Sequence, residues 1–396
     1  MRALRIDRST GRFMLARLIS GFDTGTAAKV GPLTLASMPA PELPGDGWQR
    51  VRPLLTGICG SDLATVEGHA STYFEHWVSF PFVPGHEIVG ALDNGDRVVV
   101  EPVLGHAARG AALPFPDAAP GDGDDYAHLA LPPLEPGIQI GFCNSTGGGW
   151  ATELVVHDSQ IHRIPADMPD ERAVMVEPIA GGIHAALLAI RHCEGVENPV
   201  IAVLGAGTMG LCAVAGLRAF APHATIIVGA RYPAQMRLAK ELGATTVVKA
   251  NDLARTVRHA IGCHVIGGYL SSGAHATIDA VGNSASIADS LRITRPRGRV
   301  VLIGMPAEVN VDLTGLWHRE TQLMGAYTYG TETLPDGRRE RTFALAIELA
   351  NTMRMERLLS ATYPLSDYQQ ALRHASEAGA RGAIKVAFDL RQEKKR

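Results

Sequence analysis

The 396-residue chain is 46% hydrophobic and 19% charged with a formal charge of -3, so it can bury sizeable cores and carries no electrostatic footprint for nucleic acid or anionic lipid. No apolar run of membrane-spanning length is expected, and "MRALRIDRSTGRFMLARLIS" lacks the uninterrupted apolar segment and cleavage site of a secretory signal. Cys59, Cys143, Cys193, Cys212 and Cys263 are few and widely spaced, which argues against a disulfide framework and for reduced thiols in a cytoplasmic protein with no nucleic-acid or membrane partner.

Up to Gly90 the chain breaks into short apolar pieces such as "WQRVRPLLTG" and "EIVGAL" between Pro and Gly, a strand-and-turn texture. Asn94-Gly95 reads as a hairpin turn feeding "DRVVVEP". Residues 105–137 are rich in Ala, Pro, Gly and Asp without a period, and predict an irregular, mobile lobe. From Glu177 onward strands alternate with helices: "NPVIAVLGAGTMGLCAVAGLRAF" and "ATIIVGARYPAQMRLAKELGATTVV" are strand, turn and helix, and "HATIDAVG", "GRVVLIGMP" and "TQLMGAYT" are further short strands. That alternation predicts an α/β domain with a doubly wound parallel sheet. "RTFALAIELANTMRMERLL" reads as a helix, "AIKVAFDL" as a strand, and "RQEKKR" as a solvated tail.

Gly205, Gly207 and Gly210 form G-x-G-x-x-G between the strand "VIAVL" and a helix opened by Thr208 and Met209. The first glycine permits a tight turn, the second lets backbone approach a pyrophosphate, and the third lets helix and strand pack closely. An NAD site would place an acid at the end of the next strand to bind the ribose diol. Here Ala230 and Arg231 stand there, which removes a charge that would repel a 2′-phosphate and supplies a guanidinium that can meet it bidentately. NADP(H) is therefore expected over NAD(H), with a solvated arginine at a strand end as the plain alternative.

Cys59 in "GICGSD", His86 in "PGHE" and Glu177 in "VEP" are the donor types a catalytic zinc needs, three protein ligands leaving a fourth position for water or substrate. Taken singly, each has an ordinary reading as a turn cysteine, a surface histidine or a helix-opening glutamate, and their separations match no local zinc-finger spacing.

At these residues the chain resembles the medium-chain dehydrogenase/reductase family, in its zinc-dependent alcohol and sorbitol dehydrogenase-like branch. The segments "GICGSD", "VPGHEIVG", "GDRVVVEP", "GGGWATELVV", "EPIAGGIHAAL", "VLGAGTMG", "AKELGAT", "DAVG" and "GRVVLIGMP" occur in the family's order and span most of the chain. The resemblance implies a Rossmann doubly wound domain over 177–328 and a GroES-like irregular β-barrel catalytic domain from 1–176 and 329–396. It implies one catalytic zinc on Cys59, His86 and Glu177, Glu87 as an exchangeable or supporting carboxylate, Asp62 orienting His86, and Ser61 as first member of a proton relay. A dimer or tetramer is implied through "TQLMGAYT".

Three departures from the family pattern stand out. The lobe after "VVVEP" lacks the four cysteines of a structural zinc, which Cys143 alone cannot replace, and His106 there reads as solvated. Ala64 stands where relatives often carry a relay histidine, so the proton must leave by ribose and water or through His69. Ala230-Arg231 replaces the usual acid. The expected activity is reversible hydride transfer between NADP(H) and an alcohol/carbonyl pair, with polyols or hydroxy-substituted small molecules favoured and Trp150 and Tyr73 as candidate pocket residues. Two alternatives are a zinc-independent reductase of an enoyl or imine bond and a non-catalytic dinucleotide sensor.

Overall fold

The computed structural model describes residues 1–393, so Lys394, Lys395 and Arg396 of the expected tail lie outside the described residues. Strand β1 (Arg2–Ile6) pairs antiparallel with β2 (Leu33–Ser37), and the chain between them forms helices α1 (Thr10–Ser20) and α2 (Thr24–Val30). These helices correct the all-strand texture expected before Gly90. "FMLARL" is made of good helix formers, and Asp23 caps α2 by accepting from the Gly25 amide at 3.1 Å. β3 (Trp48–Gly57) leads into α3 (Gly60–Val66), and β4 (Ile88–Leu92) returns through Asn94-Gly95, with Gly95 at φ +91°, into β5 (Arg97–Val100). β6 (Leu154–His157), β7 (Ile161–Arg163), α4 (Asp170–Ala173) and α5 (Val176–Arg191) follow.

The next stretch alternates as expected: β8 (Val200–Leu204), α6 (Thr208–Phe220), β9 (Thr225–Ala230), α7 (Pro233–Glu241), β10 (Thr246–Lys249) and α8 (Leu253–Ile261). A small hairpin of β11 (Val265–Ile266) and β12 (Tyr269–Leu270) precedes β13 (Ala274–Asp279), α9 (Ser284–Ile293), β14 (Thr294–Leu302), α10 (Thr314–His318) and β15 (Gln322–Gly325). The hairpin β16 (Thr331–Thr333) and β17 (Arg339–Arg341) and helix α11 (Thr342–Thr352) come next, then β18 (Leu359–Tyr363), α12 (Tyr368–Ser376) and β19 (Lys385–Asp389).

The chain divides into two compact units, Met1–Glu177 with Arg354 onward, and Pro178–Met353. In the second unit the strands run parallel in the order β10-β9-β8-β13-β14-β15, and β8, "VIAVL", is buried at every residue, as a strand covered on both faces must be. Residues 329–353 group here and not, as the resemblance implies, with the catalytic unit. Glu332 lies 2.5 Å from His184 Nδ1 and accepts from Arg191, both on α5, and Tyr329 packs edge-on against Phe343.

In the first unit the larger sheet runs β18-β19-β3-β4-β5-β7 with β6 also on β3, so the C-terminal strand β19 closes against β3 directly upstream of Cys59. Its core gathers Leu4, Ile6, Phe82, Trp150 and Phe388. At the start of the expected solvated tail Arg391 and Gln392 are exposed, with Arg391 paired to Asp389 and Glu171 and Glu393 accepting from Arg2 at 2.7 Å.

The lobe at 105–137 holds only short 3-10 turns, at Ala107–Arg109 and Ala127–Ala130, yet it is fixed from within. The buried Arg109 guanidinium donates to the carbonyls of Leu131 (2.8 Å), Leu134 (3.5 Å), Glu135 (3.2 Å) and Gly137 (2.8 Å). His106 stacks on His128 with ring centroids 3.8 Å apart. His106 is half-buried on that stack, and one cation satisfies carbonyls that an irregular backbone cannot pair with itself. Residues Asp170–Arg191 do reach the length and hydropathy of a membrane span, against expectation, but 78% of that stretch is buried in the protein, as in a core helix.

Candidate active site

The end of β3 is shaped by a carboxylate. A Cβ on Gly57 would lie 1.7 Å from Glu87 Oε2, so only glycine leaves room there. Cys59 follows in extended conformation as N-cap of α3, and its amide donates to Asp62 Oδ2 at 3.0 Å. Asp62 is wholly buried, and its second oxygen lies 3.4 Å from His86 Nδ1, neither atom having a hydrogen-bond partner elsewhere among the described residues. His86 is positioned by the turn Pro84-Gly85, where Gly85 has φ +94° and a Cβ would meet Trp150 Cδ1 at 2.3 Å.

Burial works against a charged imidazole at His86. The charge and hydrogen bond of Asp62, then the thiol of Cys59 within hydrogen-bonding reach, outweigh it and hold the His86 pKa well above the ordinary value. This pocket therefore demands positive charge. An imidazole whose Nδ1 faces a buried carboxylate offers Nε2 to a metal, and the soft sulfur of Cys59 stands beside it. Thiolate and imidazole suit zinc, so the donor set fits that ion.

The third expected ligand is not gathered with them. Among the described residues no three His, Cys, Asp or Glu side chains form a metal-holding group. Glu177 sits half-buried in the first turn of α5. A residue absent from the sequence reading explains the charge balance: Lys385, at the start of β19, donates to Glu87 Oε1 (2.6 Å), Glu87 Oε2 (2.7 Å) and the Ile58 carbonyl (3.2 Å). Burial pulls the Lys385 pKa down, but Glu87, Cys59 and, more weakly, Glu177 push it up to about 12. The ammonium thus answers the carboxylates, and Glu87 is committed to Lys385. Its only sequence signal is a lysine opening the apolar run "VAF".

Ser61 lies half-buried in the first turn of α3, its carbonyl accepting from Thr65 Oγ1 at 2.8 Å. His69 is taken up by α1, its Nε2 2.9 Å from Ser20 Oγ. Trp150 is no pocket residue: fully buried, it donates to the Gly57 carbonyl at 3.3 Å and packs edge-on against Phe388. Tyr73 is 65% exposed and packs with Phe74 and Trp77.

In the second unit each glycine of the turn has a distinct surrounding. Gly205 adopts φ +88°, Gly207 faces open space, and a Cβ on Gly210 would lie 2.1 Å from the Gly205 carbonyl. α6 begins at Thr208 and Met209 with Gly207 as N-cap and no side-chain cap hydrogen bond, so the positive end of the helix opens directly behind the glycine turn. Asp279, unremarked within "DAVG", is buried and accepts from the amides of Val281 (2.9 Å) and Gly282 (3.0 Å) and from Ser286 Oγ (2.8 Å), fixing the loop beside Gly205. β9 ends at buried Ala230. Arg231 beyond it is exposed, with its guanidinium 5.4 Å from the Tyr232 ring centroid.

Two family models match the chain, "Alcohol dehydrogenase GroES-like domain" over residues 45–166 and "Zinc-binding dehydrogenase" over residues 208–342. The chain belongs to the zinc-type medium-chain dehydrogenase/reductase family. It is thereby an NAD(P)-dependent alcohol oxidoreductase. Sorbitol dehydrogenase of Arabidopsis thaliana is 26% identical, over 86% of this chain and 88% of the relative. L-idonate 5-dehydrogenase of Vitis vinifera is also 26% identical, over 86% and 87%. In fold, the chain is similar to 2R,3R-butanediol dehydrogenase from Bacillus subtilis, with TM-score 0.67 and 19% identity over 98% of this chain and 99% of the other.

Proposed function

We propose that the enzyme transfers a hydride between NADP(H) and a polyol or other hydroxy-substituted alcohol/carbonyl pair, using one zinc ion held by Cys59 and His86 with Glu177 as the third donor. The observation that carries this reading is the half-buried Cys59 grouped with the buried Asp62 and His86, which favours a cation and directs His86 Nδ1 at Asp62. Zinc supplies Lewis acidity toward a substrate oxygen when bound. Asp62 fixes both the Cys59 backbone and the His86 ring. Ser61 would take the proton of the substrate hydroxyl, while Ala64 cannot carry it on and His69 is engaged with Ser20. The Gly205-to-Gly210 turn and the first amides of α6 hold the pyrophosphate.

Arg231 selects NADP(H), because an exposed guanidinium stands where an acid would bind the ribose diol of NAD. The polyol preference is supported by the sorbitol and idonate dehydrogenases among the relatives. We further place the enzyme in the cytoplasm with its five cysteines reduced, as a dimer or tetramer joined along the edge strand β15, where Leu323 is exposed.

Oxidation of a panel of polyols and simple alcohols with NADP+ and NAD+ side by side, on protein of measured zinc content, tests the proposal. Arg231→Ala is expected to weaken NADPH binding roughly 10- to 100-fold, the worth of a charge-assisted hydrogen bond, and leave NADH unchanged. Unchanged NADPH affinity in that variant, or tighter binding of NADH by the parent, would sink the cofactor assignment. Full activity in a zinc-free protein would remove the metal from the reading, a zinc-free protein inert toward the panel that reduces an enoyl or imine bond with NADPH would point to a reductase of that kind, and a zinc-loaded protein inert toward the whole panel to a sensor.

A further inference from the structure

Helix α1 is amphipathic in the wrong sense for a core element. Its inward face is modest: Ala16 is buried, Phe13 meets Phe80 edge-on at 6.3 Å, and Ser20 engages His69. Its larger apolar residues point to solvent, with Met14 64% exposed, Leu15 43% and Leu18 72%, and the turn after the helix extends the row with Phe22 at 92%. A monomeric soluble surface gains nothing from such a row.

The charges on either side say what it fits. At 100° per residue, Arg12 and Arg17 lie roughly 110° to either side of the line through Met14, Leu15 and Leu18. Both are exposed, both lack an ion pair among the described residues, and the helix contains no acid. An apolar ridge flanked on both sides by unpaired arginines is the pattern of a helix lying in a lipid interface. There the apolar side chains enter the boundary of headgroups and acyl chains while the guanidinium groups meet phosphates.

We propose that α1 docks the enzyme on an anionic phospholipid bilayer. A second copy of this chain is disfavoured, since a two-fold contact through this face would set arginine rows against each other. A groove-bearing protein partner would have to accept a row that ends in a phenylalanine almost wholly in solvent, whereas a bilayer needs only a convex ridge. The chain as a whole is near neutral, so the attraction is local to this helix and a property the overall charge conceals.

Flotation of the full-length, zinc-loaded enzyme with vesicles of phosphatidylcholine alone, or mixed with phosphatidylglycerol, reads the proposal directly. At least about tenfold stronger partition onto the anionic vesicles is expected, falling with added salt. Leu18→Glu and Phe22→Ser should each bring binding down to the level on phosphatidylcholine, with alcohol oxidation in solution unchanged, and Arg12→Gln with Arg17→Gln should remove the salt-dependent part. Equal partition onto both vesicle types, or undiminished binding by Leu18→Glu, overturns it. So does a concentration-dependent dimer in sedimentation that Leu18→Glu abolishes while vesicle binding is nil, which would assign the face to a second copy.

Discussion

Two buried histidines of the same unit have opposite fates. His86 and His128 are 3% and 7% exposed, yet His86 is held well above the ordinary histidine pKa while His128 is lowered to about 4. Burial pushes both down. What differs is the neighbour: a buried carboxylate 3.4 Å from His86 Nδ1, but a second imidazole stacked on His128 with the Arg109 guanidinium nearby. One region sets a buried carboxylate against the imidazole and commits its own cation, Lys385, to Glu87. The other turns its cation, Arg109, to the backbone and uses it to tie four carbonyls together. Burial of a ligand-type residue therefore says little until the charge facing it is known.

The strongest way to break this contrast is Lys385→Met, which strands Glu87 in the interior. A loss of about 3–5 kcal/mol in urea unfolding is expected, with much of it recovered when Glu87→Gln is added. A Lys385→Met protein as stable as the parent would show that Glu87 finds another partner. Next, Asp62→Asn removes the charge that separates His86 from His128. Zinc affinity, read by chelator competition, should drop about 10- to 100-fold, and an unchanged affinity would mean that Asp62 does not orient the ring.

The smallest effect lies on the other side of the comparison. Because the folded pKa of His128 is below its unfolded value, the unfolded chain binds more protons between about pH 6.5 and pH 4, and stability falls as pH drops through that window. His128→Phe should flatten that acid limb by about 2 kcal/mol. Identical limbs in the two proteins would mean that His128 is free to protonate in the fold.

The parallel α/β unit was readable because its signals are local. Alternating runs mark strands and helices, and a glycine turn between "VIAVL" and α6 performs its function within a few residues of itself. The segments carrying Cys59, His86, Asp62 and Glu87 were readable too, by resemblance. Their pairing was not: Glu87 is joined to Lys385 from the far end of the chain, and no spacing rule spans that distance. The same holds for α1 and α2, hidden in a Gly- and Thr-broken stretch, and for Trp150, a candidate pocket residue because it flanks the zinc-binding segments although the side chain packs against Phe388.

Composition, alternation and motif order specify the two-part α/β architecture, the dinucleotide turn, the arginine in place of a ribose-binding acid and the candidate metal donors, since each rests on residues near in sequence or on a recurring pattern. Folding settles which donors meet. It places Cys59, Asp62 and His86 together, commits Glu87 to Lys385, leaves Glu177 outside any three-donor group, and turns the apolar row of α1 outward. Charge in a buried site is balanced by whatever the tertiary contacts bring within a few ångströms, and that neighbour is rarely adjacent along the chain.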